Sequence, residues 1–198
     1  MATLGRSTSS DYLSTATAEL IMCDPLRMAA LEAAAQLNLN DWLIGAGFVR
    51  NLIWDHRHHF VHNTPLNDVD LLYFDATDPT PKQTEIKITR HLSYICPQLK
   101  WEVRNQARMH LKHGVMPYQT TRDAVADWIE LPTCVGVKYS RSRQISIFSP
   151  YGLDNNWSLE VKMNPQTPTS PSLFHQRVTD KHWQTIWPQL RVIWPVER

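Results

Sequence analysis

The stretch Trp42-Leu43-Ile44-Gly45-Ala46-Gly47 leads a short apolar run into a glycine turn, and it decides the fold. Apolar residues at helical spacing follow from Phe48 to Ile53, so the segment predicts a strand, a tight turn and a helix. Gly45 and Gly47 would let the backbone approach a ligand closely, and the start of the helix would offer N–H groups and a positive dipole end to a phosphate. A simple tight connection is the alternative interpretation of the turn.

A second predicted strand follows, with acidic residues at its start. Val69 to Phe74 is a continuous apolar and aromatic run between Asn67 and Asp75, which is typical of a strand buried on both faces. Asp68 and Asp70 are two residues apart, and strand geometry places both carboxylates on one face. Because adjacent anions repel, the pair favours a divalent cation shared with nucleotide phosphates. Solvated aspartates at a polar strand start are the alternative.

Phosphoryl transfer with two metal ions, one that binds the triphosphate and one that activates the attacking hydroxyl, requires a third carboxylate. Glu102 is the candidate, because it opens the strand-like segment from Trp101 to Met109. Alternation along that segment predicts Glu102, Arg104 and Gln106 on one face, which indicates a lined cleft. The alternative is an edge strand whose outer face is exposed to solvent. Arg50, in the first turns of the earlier helix, would add a planar cation for a phosphate or a carboxylate.

The other elements complete an α+β prediction of a small mixed or antiparallel sheet packed with helices, with a small C-terminal extension of strand and helix. Asp24 is a candidate N-cap, and Thr120 with Asp123 resembles a capping box. Helices are predicted from Pro25 to about Leu37, from Gln83 to Tyr94 and from Thr120 through Trp128; strands are predicted at Cys134 to Tyr139, paired with Gln144 to Phe148, and at Leu159 to Met163.

The chain of 198 residues, with 42% hydrophobic content, is long enough for one well-buried core. We expect a flexible lead at residues 1–10, a catalytic domain at 11–163 and a tail at 164–198 that packs on the domain. Lysine plus arginine (20) nearly balances aspartate plus glutamate (19). The overall charge therefore does not favour binding to long nucleic acid or to an anionic membrane.

Three cysteines, Cys23, Cys96 and Cys134, lack the pairing of a disulfide framework. No apolar run approaches the roughly 20 residues that cross a bilayer, and the N-terminus lacks a secretory signal. The cytoplasm is therefore the expected compartment, with no membrane partner. Eight tryptophans are assigned mainly to packing, with stacking on bases as the alternative.

A dense histidine cluster lies between the two motifs. Imidazoles at this spacing can bind zinc, nickel or copper, but no cysteine or carboxylate stands at a recognised distance. A solvated loop is the preferred interpretation, and a histidine-centred metal protein is the alternative. The cluster comprises His56, His58, His59 and His62.

The sequence from Ala46 to Asn51 resembles the Gly-Gly-x-Val-Arg-Asp signature of the DNA polymerase beta-like nucleotidyltransferases, and Thr64 to Leu71 resembles their Asp-x-Asp strand. The stretch from Gly45 to Asp75, together with Trp101 to His110 and Ser149 to Asp154, resembles a bacterial nucleotidyltransferase family of unassigned substrate. The resemblance covers most of residues 25–165.

The resemblance implies that Asp68, Asp70 and Glu102 are catalytic residues that hold Mg²⁺ or Mn²⁺. A nucleoside triphosphate would be the substrate, and its nucleoside monophosphate would pass to a hydroxyl with release of pyrophosphate. The acceptor is open between a small molecule, a protein and a short RNA. Nucleotide-binding positions are predicted at Gly45, Ala46, Gly47, Arg50, Asn51, Arg104 and Gln106.

Two departures from the signature support an alternative function. Ala46 stands where the signature has its first glycine, and Asn51 stands where it has aspartate. Alanine restricts the backbone and adds a methyl group where a phosphate would approach, and asparagine loses a charge. The alternative is a nucleotide-binding or regulatory module that kept the fold and has weakened catalysis.

Overall fold

The computed structural model describes residues 9–140 and 142–195. The predicted flexible lead lies outside these residues except for positions 9 and 10, which already belong to the first helix. The predicted tail ends at residues 196–198, which also lie outside. The division of the chain at residues 163 and 164 stays a prediction.

The elements alternate along the chain as an α+β protein. The helices are α1 (Ser9–Met22), α2 (Pro25–Gln36), α3 (Gly47–Arg57), α4 (Pro81–Ile95), α5 (Met109–His113), α6 (Thr121–Ala126), α7 (Asp154–Trp157), α8 (Pro171–Lys181) and α9 (Trp183–Ile186). The strands are β1 (Leu43–Gly45), β2 (Val69–Tyr73), β3 (Trp101–Asn105), β4 (Gly136–Tyr139), β5 (Ile145–Phe148), β6 (Glu160–Lys162) and β7 (Arg191–Ile193).

Within the described residues, the main sheet has five strands in the order β3-β2-β1-β4-β5. The pair β2 and β3 is parallel and is joined through α4, whereas the other neighbours are antiparallel. The predicted pairing of the strands now identified as β4 and β5 is confirmed. A separate parallel pair joins β6 to β7. The predicted mixed α+β class is therefore confirmed.

The helix starts follow the predicted caps. Asp24 caps α2, because its Oδ1 accepts the N–H groups of Leu26 and Arg27, each at 3.0 Å. Thr120 and Asp123 form a capping box at the start of α6, as predicted. This helix ends at Ala126, two residues before the predicted end. The caps satisfy N–H groups that have no partner inside the helix.

The strand predicted from Trp101 to Met109 is too long. It ends at Asn105, whose Oδ1 accepts the N–H of Ala107 at 3.1 Å and turns the chain into a short 3-10 helix. This local hydrogen bond competes with continued strand pairing. Gln106 therefore does not share the face of Glu102, because its side chain is buried and its Nε2 donates to the Arg104 carbonyl at 3.2 Å.

Two of the three apolar clusters among the described residues join the main elements. The larger one packs the sheet against helices α1 to α4. The smaller one packs Phe174, Trp183 and Trp187 around Trp54 of α3. Trp187 also donates its indole N–H to the buried Asp55 Oδ1 at 2.7 Å. The C-terminal helices are thus fixed to the helix that follows the glycine turn.

None of the helices within residues 9–140 and 142–195 combines the length and the apolar character needed to cross a membrane.

Candidate functional site

The parallel pairing of β2 with β3 brings the acidic residues together. Asp70 lies opposite Glu102 in the register of the two strands. Asp68 precedes Asp70 by two residues, so all three carboxylates belong to the same face of the sheet. These groups are 34 residues apart in sequence at their extremes, and only the crossover through α4 makes them neighbours.

The carboxylate of Asp70 is costly to ionise. Burial raises its pKa to about 6, with further contributions from the charges of Glu102 and Asp68. Arg50 and Lys181 act in the opposite direction and favour the charged form. A negative group held in this environment has a strong electrostatic preference for an additional cation.

The acidic face fits a divalent cation by its chemistry. Carboxylate oxygens are the ligands that Mg²⁺ and Mn²⁺ prefer. Among the residues that the structure describes, however, no group of three or more His, Cys, Asp or Glu side chains is already arranged to hold a metal ion. Asp68 is engaged by Lys100, whose Nζ lies 2.6 Å from Asp68 Oδ1. Asp68 would have to leave that exposed ion pair to join a metal site.

The turn before α3 has an unusual backbone. Ala46 has φ 54° and ψ −122°, a conformation that favours glycine. Its carbonyl accepts the N–H groups of Val49 and Arg50, which begin the helix. The N–H groups of Gly47 and Phe48 precede these first helical bonds and lie at the positive end of the helix dipole.

The two glycines of the turn are constrained by packing. A Cβ on Gly45 would lie 2.8 Å from the ring carbon Cη2 of Trp128, so the absence of a side chain makes room for this indole. A Cβ on Gly47 would lie 3.3 Å from Nδ2 of Asn51. Sequence reasoning assigned both glycines to ligand approach and missed these contacts.

Arg50 and Asn51 are engaged with each other and with the protein. Arg50 donates through Nε and Nη2 to Asn51 Oδ1, at 3.2 and 3.0 Å, and through Nη1 to Thr133 Oγ1 at 2.7 Å. Its guanidinium lies 4.9 Å from the ring centroid of Trp54 and 4.6 Å from that of Trp183. Burial lowers the pKa of Arg50 to about 10, and the charge of Glu130 opposes this shift.

A cleft of about 560 Å³ is lined by Ala46 of the turn and by Asp70 of the acidic face, whereas Asp68 and Glu102 are not among its lining residues. This volume lies in the range of small-molecule sites, which is about 300 to 1,000 Å³. Its lining combines the sheet side, the segment after α6 and the C-terminal helix α8. The residues are Ala46, Asp70, Met109, Lys112, His113, Asp127, Trp128, Ile129, Glu130, Thr133, Pro168, Thr169, Leu173 and Arg177.

The wall opposite the sheet contains a buried ion pair. Glu130 is fully buried, and its Oε1 accepts from Arg177 Nε at 2.5 Å. Arg177 lies on α8 and is partly exposed, so it closes the pair from the surface side. Sequence reasoning missed both residues because they are 47 positions apart and neither belongs to a motif.

The predicted site residues divide into two groups. Ala46 and Asp70 line the cleft, and Glu102 lies beside Asp70 on the neighbouring strand. Arg104 instead lines a second groove, described below, and its Nη2 lies 3.6 Å from Glu102 Oε2. Gln106 is buried behind the strand end and does not line the cleft.

The histidine cluster is dispersed. His56 lies within α3, and its ring contacts Trp157 edge-to-face with centroids 5.6 Å apart. The Nε2 of His58 accepts the N–H of Gln189 at 3.0 Å. The prediction of a loop was therefore wrong for His56, because α3 extends to Arg57, whereas His58 lies in the turn that follows the helix and is partly buried. His59 and His62 are exposed.

Comparison with known proteins connects this geometry to a family. Residues 32–192 match a protein-family model described as Nucleotidyltransferase. No curated protein sequence gives a match. An NMR structure that reveals a CCA-adding enzyme head domain is similar over 90% of this chain and 95% of that one, with 28% identity and a TM-score of 0.77.

A more distant structure shares the fold alone. A CCA-adding enzyme in complex with CTP is similar over 89% of this chain, with 11% identity and a TM-score of 0.55. The matched region is 43% of that enzyme, so this chain spans less than half of its length.

Proposed function

The chain belongs to the nucleotidyltransferase family that matches residues 32–192, and we propose that it transfers a nucleoside monophosphate from a nucleoside triphosphate to a hydroxyl acceptor. One observation carries the proposal. Asp70, which lines the cleft, lies opposite Glu102 in the sheet, and both burial and neighbouring carboxylates raise its pKa to about 6. Such a group is suited to a cationic cofactor and an anionic substrate.

The residues around the cleft have distinct roles in this proposal. The N–H groups of Gly47 and Phe48 bind phosphate oxygens at the start of α3. Asp68, Asp70 and Glu102 would hold Mg²⁺ or Mn²⁺, which supplies charge neutralisation to the triphosphate. Lys181 adds positive charge from the C-terminal side, since it already favours the ionised form of Asp70.

The transfer balances without a further reactant. The acceptor oxygen attacks the α-phosphorus, and the bond between that phosphorus and the oxygen bridging to the β-phosphate breaks. Pyrophosphate leaves with the electron pair of that bond. The hydroxyl proton passes to the carboxylate of Glu102, which lies opposite Asp70 on the neighbouring strand. Proximity and electrostatic stabilisation supply most of the acceleration in reactions of this class.

A catalytically weakened nucleotide-binding module is the second candidate. Two observations favour it: the methyl group of Ala46 lines the cleft, and Asn51 is occupied by two hydrogen bonds from Arg50. Such a module would bind a triphosphate and release no pyrophosphate.

Calorimetry with the four ribonucleoside triphosphates and Mg²⁺ tests the proposal. We expect binding by the wild type, and at least tenfold weaker binding by the Asp68→Ala/Asp70→Ala double variant. Glu32→Gln removes an exposed carboxylate of α2 and is the matched control. Equal binding by the double variant, or no binding by the wild type, would contradict the metal-dependent site. Binding without pyrophosphate release when acceptors are added would favour the module.

A further inference from the structure

A second groove, of about 620 Å³, lies next to the cleft. Helix α4 contributes one wall with residues at helical spacing, which form a single stripe on its surface. The end of β3 and helix α5 contribute the other wall. The lining residues are Lys82, Glu85, Ile86, Thr89, Arg104, Arg108, Met109, Leu111 and Lys112.

The charges of this groove are strongly unbalanced. Four of its residues are cationic, namely Lys82, Arg104, Arg108 and Lys112, and one is acidic. The acidic residue, Glu85, is buried, and its Oε1 already accepts from Arg108 Nη2 and from the N–H of Asn105, both at 2.9 Å. The remaining cations therefore face the groove without a compensating carboxylate among its lining residues.

An unsatisfied donor lies on the same wall. Arg108 Nε is buried and has no hydrogen-bond partner among the described residues. Buried donors are nearly always paired in native proteins. A planar guanidinium with unused N–H groups is well suited to the oxygens of a phosphate.

The groove is continuous with the cleft. Met109 and Lys112 line both cavities. Arg104 follows Glu102 by two residues on the same strand face, and their side chains are 3.6 Å apart. A molecule bound in the groove would therefore reach the acidic face from the side of Glu102.

We propose that this groove binds the phosphate groups of the acceptor and directs its hydroxyl toward Glu102. The acceptor role rests on the proposed function, whereas phosphate binding by the groove can be tested without it. Ile86 and Leu111 are 51% and 75% exposed, and they offer apolar contacts to a sugar or a base beside the cations. A phosphorylated sugar and the end of a short oligonucleotide share this chemistry.

The first experiment measures the fluorescence anisotropy of a labelled single-stranded ribonucleotide hexamer at low salt. The groove variant Lys82→Gln/Arg104→Gln removes two cations of the lining. The control Lys87→Gln/Arg90→Gln removes one lysine and one arginine from exposed positions of α4 that do not line the groove. Circular dichroism checks that both variants are folded.

We expect the groove variant to bind the hexamer at least tenfold more weakly, and the control to bind within twofold of the wild type. The slope of log K against log salt should fall by about 1.4, because each single-strand phosphate contact contributes about 0.7. Equal weakening in both variants, no weakening in the groove variant, or no binding by the wild type of either hexamer or ribose 5-phosphate would overturn the proposal.

Competition with unlabelled ribose 5-phosphate distinguishes the two sources of phosphate. Displacement of the hexamer at millimolar sugar phosphate would support a small phosphorylated acceptor, and binding of the hexamer without such displacement would support an oligonucleotide. Calorimetry of triphosphate binding on the same protein keeps the two proposals separate. A protein that binds the hexamer in the groove and binds no triphosphate would contradict the proposed function and, with it, the acceptor role.

Discussion

The buried carboxylates on the two walls of the cleft differ in the charge of their neighbours. On the sheet wall, Asp70 lies near Asp68 and Glu102, so like charges meet and raise its pKa together with burial. On the C-terminal wall, Glu130 is more deeply buried, and Arg177 neutralises it through a hydrogen-bonded ion pair. On the sheet wall, Lys100 and Arg104 pair with Asp68 and Glu102, and Asp70 has no ion pair among the described residues. On the C-terminal wall, the buried carboxylate itself is paired.

This difference indicates that one wall binds ligands and that the other stabilises the fold. A buried anion is expensive unless it is paired, so a cluster of anions is tolerated where a cation can be taken up. An ion pair closed within the protein fixes two elements relative to each other. We infer that the sheet wall holds the cation and phosphates, and that the pair of Glu130 and Arg177 keeps α8 in place over the cleft.

The largest expected effect tests the sheet wall. Asp70→Asn keeps the shape of the side chain and removes the charge, so pyrophosphate release should fall about a thousandfold, since metal-assisted charge stabilisation contributes several kcal/mol. A coupled phosphate assay with the best acceptor and triphosphate measures the rate. Glu32→Gln, at an exposed position of α2, should leave the rate within twofold. A loss below tenfold for Asp70→Asn would break the distinction between the walls.

The next effect tests the C-terminal wall. Arg177→Leu leaves Glu130 buried without its partner, and the free energy of unfolding should fall by about 2 kcal/mol, less than for a fully buried pair because Arg177 is partly exposed. Urea denaturation measures the change. Lys181→Leu, on an exposed position of the same helix, should change stability by less than about 0.5 kcal/mol.

A double-variant cycle checks the cause of that loss. Glu130→Gln/Arg177→Leu removes the uncompensated charge, so it should recover part of the stability lost in Arg177→Leu. If the losses of stability in the two single variants simply added in the double variant, the ion pair would not hold α8 in place.

The pH dependence of the free energy of unfolding tests the raised pKa of Asp70 on the sheet wall. The pKa of Asp70 is about 6 in the folded protein, above its ordinary value of 3.8. Between these values the folded state binds more protons than the unfolded state, so stability decreases as pH rises from about 4 to about 6 and levels off above. The linked change is on the order of 3 kcal/mol. Urea denaturation across this range measures it.

Asp70→Asn is the control for the pH effect, because it removes the titrating group and should flatten this part of the profile. Added Mg²⁺ should also raise stability above pH 6, where the carboxylate is charged and can bind it. A profile that is identical in the wild type and Asp70→Asn would assign the slope to other groups.

The smallest effect concerns the turn between the walls. Ala46 has φ 54°, so Ala46→Gly relieves backbone strain and should raise the free energy of unfolding by about 1 kcal/mol. Gly114 is the inverse control, because it has φ 68° and a Cβ there would meet nothing within 4 Å. Gly114→Ala should lower stability by about the same amount. A loss of stability in Ala46→Gly would contradict the strain.

Local signals in the sequence predicted many elements well. The cap at Asp24, the capping box at Thr120 and the apolar run from Val69 depend on residues within a few positions of each other. Their physics is local hydrogen bonding and side-chain alternation, so the start of each element could be located. The end of β3 was missed because the side chain of Asn105 makes a local bond that alternation does not reveal.

The roles of individual polar residues were harder to predict. Arg50 was expected to bind a ligand, and this role stays a prediction; its guanidinium contacts Trp54 and Trp183 and donates to Thr133. Nucleotide binding by Arg104 also stays a prediction, and this residue lines the adjacent groove. In both cases the residue type indicated contacts with phosphate or aromatic groups. The actual partner depended on which helices and strands are adjacent in the folded protein.

The sequence by itself determined the order of strand, glycine turn, helix and acidic strand, because each of these depends on periodicity and backbone preference along a few consecutive residues. Only the tertiary structure decided that Glu102 lies opposite Asp70, that α8 closes the cleft through Arg177, and that a basic groove continues from it. These relations join residues tens of positions apart. They arise when apolar faces pack together, and no local pattern specifies which faces will meet.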